Sequence, residues 1–248
     1  MSQPVPFPAE QKQAARERVW AALEEAAVAR FPKPIRGRIP NFIGSEQAVR
    51  RLIARPEFQR ARVVKVNPDA PQRLLRAGVL RHGKVLLAPT PRLREGFLVL
   101  DPATIPPNAH GRAAAIGGLF KYGVSTPLAT APAPDLLVVG SVAVSPSGAR
   151  TGKGEGYGEI EYALLREQGR IGPQTPIATT VHDLQVVDAL PLEPFDVTVD
   201  LIVTLTRTIE VPPGRPRPDR ILWHLLPAEK LEAIPLLREL KPETTPAR

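Results

Sequence analysis

The sequence predicts an α/β fold, a three-layer α/β/α sandwich built around a mainly parallel sheet. Two observations carry this expectation. Segments of strand character alternate along the chain with segments of helical character. The run DLLVVGSVAV at 135–144 is almost continuously apolar, as a strand covered on both faces must be. With 248 residues the chain is long enough to bury a sizeable core.

From about Ala9 to Ala29, the segment AEQKQAARERVWAALEEAAVA is rich in strong helix formers and sets Val19, Leu23, Ala26 and Ala27 on one stripe, so a helix is expected there. A Pro-rich connection, RFPKPIRGRIPNF, follows, and Ser45 is expected to cap a shorter helix ending near Pro56. ARVVKV (61–66) reads as a strand, Pro71 to Arg81 as a helix and KVLLAP (84–89) as a strand. His82-Gly83 reads as the turn before that strand. A long irregular region rich in Pro and Gly comes next, with His110 in a flexible loop. The apolar run 135–144 is then expected as one strand, leading directly into a glycine stretch and a helix that starts near Tyr157. TPIATTV and VTVDLIVTLTRTIEV supply further strands. From Pro212, PPGRPRPDR reads as a linker into a short helix, PAEKLEAIPLLREL. The expected organisation is therefore an α/β domain over 1–211 and a Pro-rich linker with a short C-terminal helix over 212–248.

Composition narrows the function classes. There is no cysteine, which excludes disulfides, Cys-ligated zinc and thiol catalysis. Lys and Arg number 33 against 25 Asp and Glu, a net charge of +8, which points to anionic partners: nucleotides, polyglutamyl-type acids or nucleic acid. The N-terminal MSQPVPFPAEQKQ lacks the apolar core of a signal peptide and no apolar run approaches a membrane span, so no membrane association and a cytoplasmic location are expected. Thirty prolines, one methionine and no cysteine suit a thermophile, or equally a GC-rich genome. No interleaving of aromatic and basic residues of the RNA-recognition type is present, which argues against nucleic acid.

The most informative stretch is GARTGKGEGYGEIEYALL, 148–165, with glycine at 152, 154, 156 and 158. Four glycines at alternate positions before a helix suggest backbone amides kept clear of side chains for a bulky ligand, and the amides and dipole of a helix starting near Tyr157 favour an anion. The spacing is neither a Walker A loop nor a dinucleotide fingerprint. Glu159, in the first helical turn, would repel a bound phosphate unless a divalent cation lay between them. His182-Asp183 reads as a strand-end turn near the cavity mouth rather than as a metal or acid–base pair. Ser141 and Ser145 lack the G-x-S-x-G elbow of a serine hydrolase.

These residues also resemble the nucleotide-binding signature of the 5-formyltetrahydrofolate cyclo-ligase family, in which a strand leads into R-x-G-x-G-x-G-Y-Y-D and a helix. The matching positions here are Arg150, Gly152, Gly154, Gly156, Tyr157, Gly158 and Glu159, with Gly158-Glu159 where the family has Tyr-Asp. The opening Lys-x-x-x-Arg of the family is matched by Lys12 and Arg16, and its closing motif by Asp196, Val199 and Asp200 in PFDVTVDLIVT. RIPNF, GKGEGY and TTVHDLQVV are similar to the divergent, methenyltetrahydrofolate synthase domain-containing branch.

The resemblance implies cyclo-ligase (CoA transferase-like) topology and ATP- and Mg2+-dependent conversion of 5-formyltetrahydrofolate to 5,10-methenyltetrahydrofolate. The formyl oxygen would attack the γ-phosphate, and N10 would then close on the activated carbon with loss of phosphate. It further implies that Lys12, Arg16, Gly152, Lys153, Gly154, Gly156 and Tyr157 contact ATP, that Arg150, Lys153 and Tyr157 serve the reaction, and that Glu159 holds Mg2+. The implied partners are ATP and a reduced folate. A second reading is a nucleotide- or folate-binding relative without turnover, regulatory or RNA-associated.

Overall fold

A computed structural model describes residues 7–242; the first six residues of the N-terminal segment and the last six of the C-terminal one lie outside the described residues. The chain runs through α1 (Pro8–Glu25), β1 (Ala29–Arg30), β2 (Asn41–Phe42), α2 (Ser45–Ile53), α3 (Pro56–Arg60), β3 (Val63–Val66), α4 (Arg73–Arg81), β4 (Val85–Pro89) and β5 (Phe97–Leu100). It continues with α5 (His110–Ala113), α6 (Ile116–Tyr122), β6 (Val124–Ser125), β7 (Leu136–Val138), β8 (Ala143–Val144), β9 (Arg150–Thr151) and α7 (Tyr157–Glu167). The last elements are β10 (Ile177–Thr180), β11 (Leu201–Val203), β12 (Thr208–Glu210), α8 (Ala228–Ala233) and α9 (Pro235–Leu240).

Eight strands form one sheet in the order β12-β11-β10-β7-β3-β4-β5-β6. The five from β11 to β4 are parallel; β12 on one side and β5 on the other run against them, and β6 pairs antiparallel with β5. Side chains of a strand alternate between faces, and here the alternation divides the core. Leu136 and Val138 pack with Leu52 of α2, Leu75 and Leu80 of α4 and Leu119 of α6. Leu137 and Val139 pack on the opposite face with Leu164 and Leu165 of α7 and with Ile234 and Leu237. The sandwich expected from the sequence is the one observed. A third cluster gathers Ala15, Val19, Trp20 and Leu23 of α1 with Ile35, Val142 and Ala143. No helix among the described residues is long and apolar enough to cross a membrane.

Several boundaries differ from expectation for identifiable reasons. The apolar run 135–144 is not one strand: β7 ends at Val138, and Ala143–Val144 pair instead with β9 in a separate hairpin. An apolar pattern cannot distinguish a sheet strand from buried extended chain, and Val142 and Ala143 are buried against α1 rather than in the sheet. Gly140 marks the departure, since a Cβ there would lie 2.8 Å from Asp69 Oδ2. Helix α1 stops at Glu25, because Ala27 turns left-handed (φ 54°) and delivers Ala29 to pair with Phe42. Ser45 is the first helical residue of α2; the cap is Gly44, at φ 94°. His110 is not in a loop but opens α5, buried, with Nε2 3.2 Å from the Ile105 carbonyl. The region expected to be irregular contains β5, α5, α6 and β6.

The segment after Pro212 packs onto the α7 face. Arg217 reaches Asp200 at 2.6 Å, the Ile221 amide donates to Glu167 at 3.0 Å, and Ile234 and Leu237 are fully buried. Pro235, which cannot donate to the preceding turn, divides its helical end into α8 and α9.

Beneath the site, Lys65 of β3 and Glu161 of α7 form a buried ion pair, and Asn67 accepts from Lys65 and donates to Glu161, both at 2.9 Å. Burial holds the Glu161 carboxyl above its usual range, opposed by Lys65. Removing one member of a buried pair strands the other charge, whereas replacing both with apolar groups is often tolerated. Lys65→Met is therefore expected to cost about 3–5 kcal/mol in urea unfolding. Lys65→Met combined with Glu161→Leu is expected to recover most of that loss.

Candidate functional site

A cavity of about 970 Å3 opens at the carboxyl ends of the central strands, the place where open parallel sheets bind ligands. Its walls come from Asn67 and Asp69 after β3, Thr90 to Arg94 after β4, Val139 and Gly140 after β7, and the glycine stretch up to Glu159. Arg36, Arg38, Arg73, Arg76, Arg92 and Arg94 make it strongly cationic. Arg73 and Arg94 form no ion pair among the described residues, and Arg92 only approaches Glu155 at 3.8 Å.

The glycine stretch is a turn between β9 and α7, and its glycines answer different needs. Gly154 (φ 98°) and Gly156 (φ 73°) take the left-handed backbone that side chains disfavour, with Gly156 serving as the cap of α7. A Cβ on Gly156 would meet nothing within 4 Å, so the turn faces open space. Gly158 instead makes room for Arg150, whose Nη2 would lie 3.0 Å from a Cβ there.

Among the residues singled out in the sequence, Arg150, Gly152, Lys153, Gly156, Tyr157 and Glu159 line this cavity. Arg150 is buried, pairs with Glu159 Oε1 at 2.5 Å and donates to the Gly140 carbonyl at 3.2 Å, leaving its Nε without a partner. Lys153 pairs with Glu155 at 2.7 Å. The Tyr157 ring has Lys230 Nζ 3.7 Å from its centre.

Lys12 and Arg16 share a face of α1 but lie outside the cavity wall. Lys12 is buried between Glu193 (2.6 Å) and Asp196 (2.5 Å). Arg16 donates to the Gly152 carbonyl (2.8 Å) and the Thr151 hydroxyl (2.6 Å), and so supports the glycine turn from behind. Burial lowers the Arg16 pKa, an effect opposed by Glu159, Asp196 and Glu193. Burial raises that of Asp196, opposed by Lys12. His182 and Asp183 line neither this cavity nor the second one described below; His182 caps a short turn after β10 and Asp183 accepts from Thr206 at 2.7 Å.

Sequence reasoning missed the cavity floor. Asp69 is partly buried there, and burial pushes its carboxyl up against the pull of Lys153, Arg76 and Lys65. Arg76 is almost wholly buried, which lowers its pKa to about 10, and it donates only to main-chain carbonyls, of Asn67 (2.5 Å), Asp69 (3.0 Å) and Ala114 (2.9 Å). The available signal was position: NPDAPQR follows directly on the strand at 63–66.

Among the described residues no three His, Asp or Glu side chains converge as a metal site. Glu159 is a single carboxylate with one oxygen engaged by Arg150. That donor set does not make a protein-only metal site, but it fits Mg2+ held jointly with phosphates, the usual arrangement for that ion.

The fold is that of an open α/β protein with a large cavity at the carboxyl ends of its parallel strands. The chain belongs to the 5-formyltetrahydrofolate cyclo-ligase family, whose sequence profile matches residues 8–205. It is 46% identical over 237 residues to a methenyltetrahydrofolate synthase domain-containing protein of Mus musculus, covering 93% of this chain and 63% of that one. The corresponding Homo sapiens protein is 44% identical over 237 residues, with 93% and 61% covered. The chain thus spans about three fifths of the length of these relatives. Among solved structures, the 5,10-methenyltetrahydrofolate synthetase of Aquifex aeolicus shares the fold, with a TM-score of 0.52 and 21% identity over 82% of this chain and 94% of that chain.

Two outcomes test this geometry. Because Gly156 is left-handed but unobstructed, Gly156→Asn should unfold at nearly the parental urea concentration, whereas Gly156→Val should lose about 1–2 kcal/mol or more. For Asp69 the folded pKa is raised, so its penalty is absent below the unfolded value and grows as pH rises through the folded one. Asp69→Asn should therefore be more stable than the parent at neutral pH, and the difference should vanish as the pH falls below about 4, read from unfolding midpoints across the pH range.

Proposed function

We propose that the chain is an ATP- and Mg2+-dependent 5-formyltetrahydrofolate cyclo-ligase, forming 5,10-methenyltetrahydrofolate with release of ADP and phosphate. The observation that supports it most is the open, left-handed glycine turn capping α7 beside Arg150 and Lys153, on the wall of an arginine-rich cavity. When bound, MgATP supplies the phosphoryl group that turns the formyl oxygen into a leaving group.

The chain's own residues would position and neutralise, which is most of what phosphoryl transfer asks of a protein. The turn amides and Lys153 hold phosphate oxygens, and Glu159 offers its second carboxylate oxygen to Mg2+. Arg150 keeps Glu159 and the turn in place. Arg16 fixes the turn from behind, so its contribution to nucleotide binding is indirect. Tyr157, the first residue of α7, lines the cavity beside the turn. Arg73 and Arg94, without carboxylate partners among the described residues, suit the glutamate carboxylates of a reduced folate. A second reading, a nucleotide- or folate-binding relative without turnover, is favoured by the Arg150–Glu159 pair, which satisfies Glu159 without metal.

Absorbance of the methenyl product, with MgATP and 5-formyltetrahydrofolate supplied, tests the first reading; binding of both ligands without product would establish the second. In calorimetric titration, Glu159→Gln is expected to weaken MgATP about tenfold and to leave metal-free ATP unchanged or slightly tighter. Equal effects with and without Mg2+ would remove Glu159 from metal binding.

A further inference from the structure

A second cavity, of about 430 Å3, lies behind the same glycine turn. Its walls are mainly apolar: Ile160 and Ala163 of α7, Phe195, and Ile221, Leu226 and Leu237 from the C-terminal segment. More than half of its lining falls between Pro218 and Leu237, beyond residue 205, where the family match ends. Its volume lies within the roughly 300–1,000 Å3 of small-molecule sites.

Three observations connect this cavity to the turn. Glu155, Gly156 and Glu159 line both cavities, so a ligand extending from each meets the other there. Lys230, on the rim of the second cavity, lies over the ring of Tyr157, the first residue of α7. The segment is anchored by the Arg217–Asp200 pair and by fully buried Ile234 and Leu237, so the wall is part of the folded body. The charges also divide the ligands. The first cavity is lined by seven arginines, of which Arg73 and Arg94 have no carboxylate partner among the described residues, whereas the second is apolar with Glu155, Glu159 and Glu229 among its few charged residues, a poor host for a dicarboxylate.

We propose that the second cavity seats the base and sugar of the nucleotide whose phosphates lie on the glycine turn, and that residues 218–237 set its base selectivity. This inference rests on the ATP-dependent reading above. An aromatic heterocycle gains from the aliphatic walls and Phe195, while Arg220, Glu229 and Lys230 at the edge offer partners to ring nitrogens and sugar hydroxyls.

The test compares MgATP with magnesium tripolyphosphate, which carries the phosphates without base or sugar, on the full chain. Ala163→Phe fills the cavity from the α7 side. It should weaken MgATP about tenfold or more while leaving tripolyphosphate binding unchanged. Hydrogen exchange on the unmodified chain gives a second readout: MgATP should slow exchange across 221–237, and tripolyphosphate should not. If the parent binds both ligands, but Ala163→Phe binds MgATP as well as the parent does and 221–237 gain no protection, this inference falls and the cyclo-ligase reading survives. A parent that binds neither ligand overturns both.

Discussion

The buried guanidinium of Arg150 sets the geometry of the site. At one end it donates to the carbonyl of Gly140, where the chain leaves the sheet; at the other it pairs with Glu159 in the first turn of α7. Its charge is almost completely removed from water, and losing the partner of such a charge costs several kcal/mol. The break after β7, the hairpin of β8 and β9, the glycine turn and the start of α7 are consequently not four independent features. Gly158 lacks a side chain where Arg150 passes, and Arg16 fixes the same turn from the other side through Gly152 and Thr151.

One consequence is electrostatic. The cations around the turn are already engaged: Lys12 with two carboxylates, Arg150 with Glu159, Lys153 with Glu155, and Arg16 with the Gly152 carbonyl and the Thr151 hydroxyl. In the cavity, Arg73 and Arg94 have no carboxylate partner among the described residues. Long-range positive potential and short-range organisation of the turn are thus carried by different residues, and only the first is strongly screened by salt.

Layering, the mainly parallel centre of the sheet and the start of α7 at Tyr157 were legible in the sequence because each leaves a local signature: apolar runs, helix-forming stretches, a glycine cap. The same local signals misled where a distant partner decided the outcome. Val142 and Ala143 look like strand but answer to α1, and Ala27 looks helical but must turn to let Ala29 pair with Phe42. At the site, the glycine stretch and its flanking charges were visible as a motif. The burial of Lys12 against Glu193 and Asp196 was not, since those partners lie more than 180 positions away. Asp69, Arg73 and Arg76 carry no motif and were identifiable only from their place at the end of a strand.

Arg76 is a different kind of buried charge. Every hydrogen bond it makes goes to a main-chain carbonyl, of Asn67, Asp69 or Ala114, and none to a side chain. Carbonyls are present whatever residue occupies a position, so Arg76 constrains the path of the loops that floor the cavity without constraining their side chains. The floor can therefore change its chemistry by substitution at 69 while its shape is retained, provided that position 76 keeps a guanidinium; position 67 lacks that freedom, because the Asn67 amide joins Lys65 to Glu161.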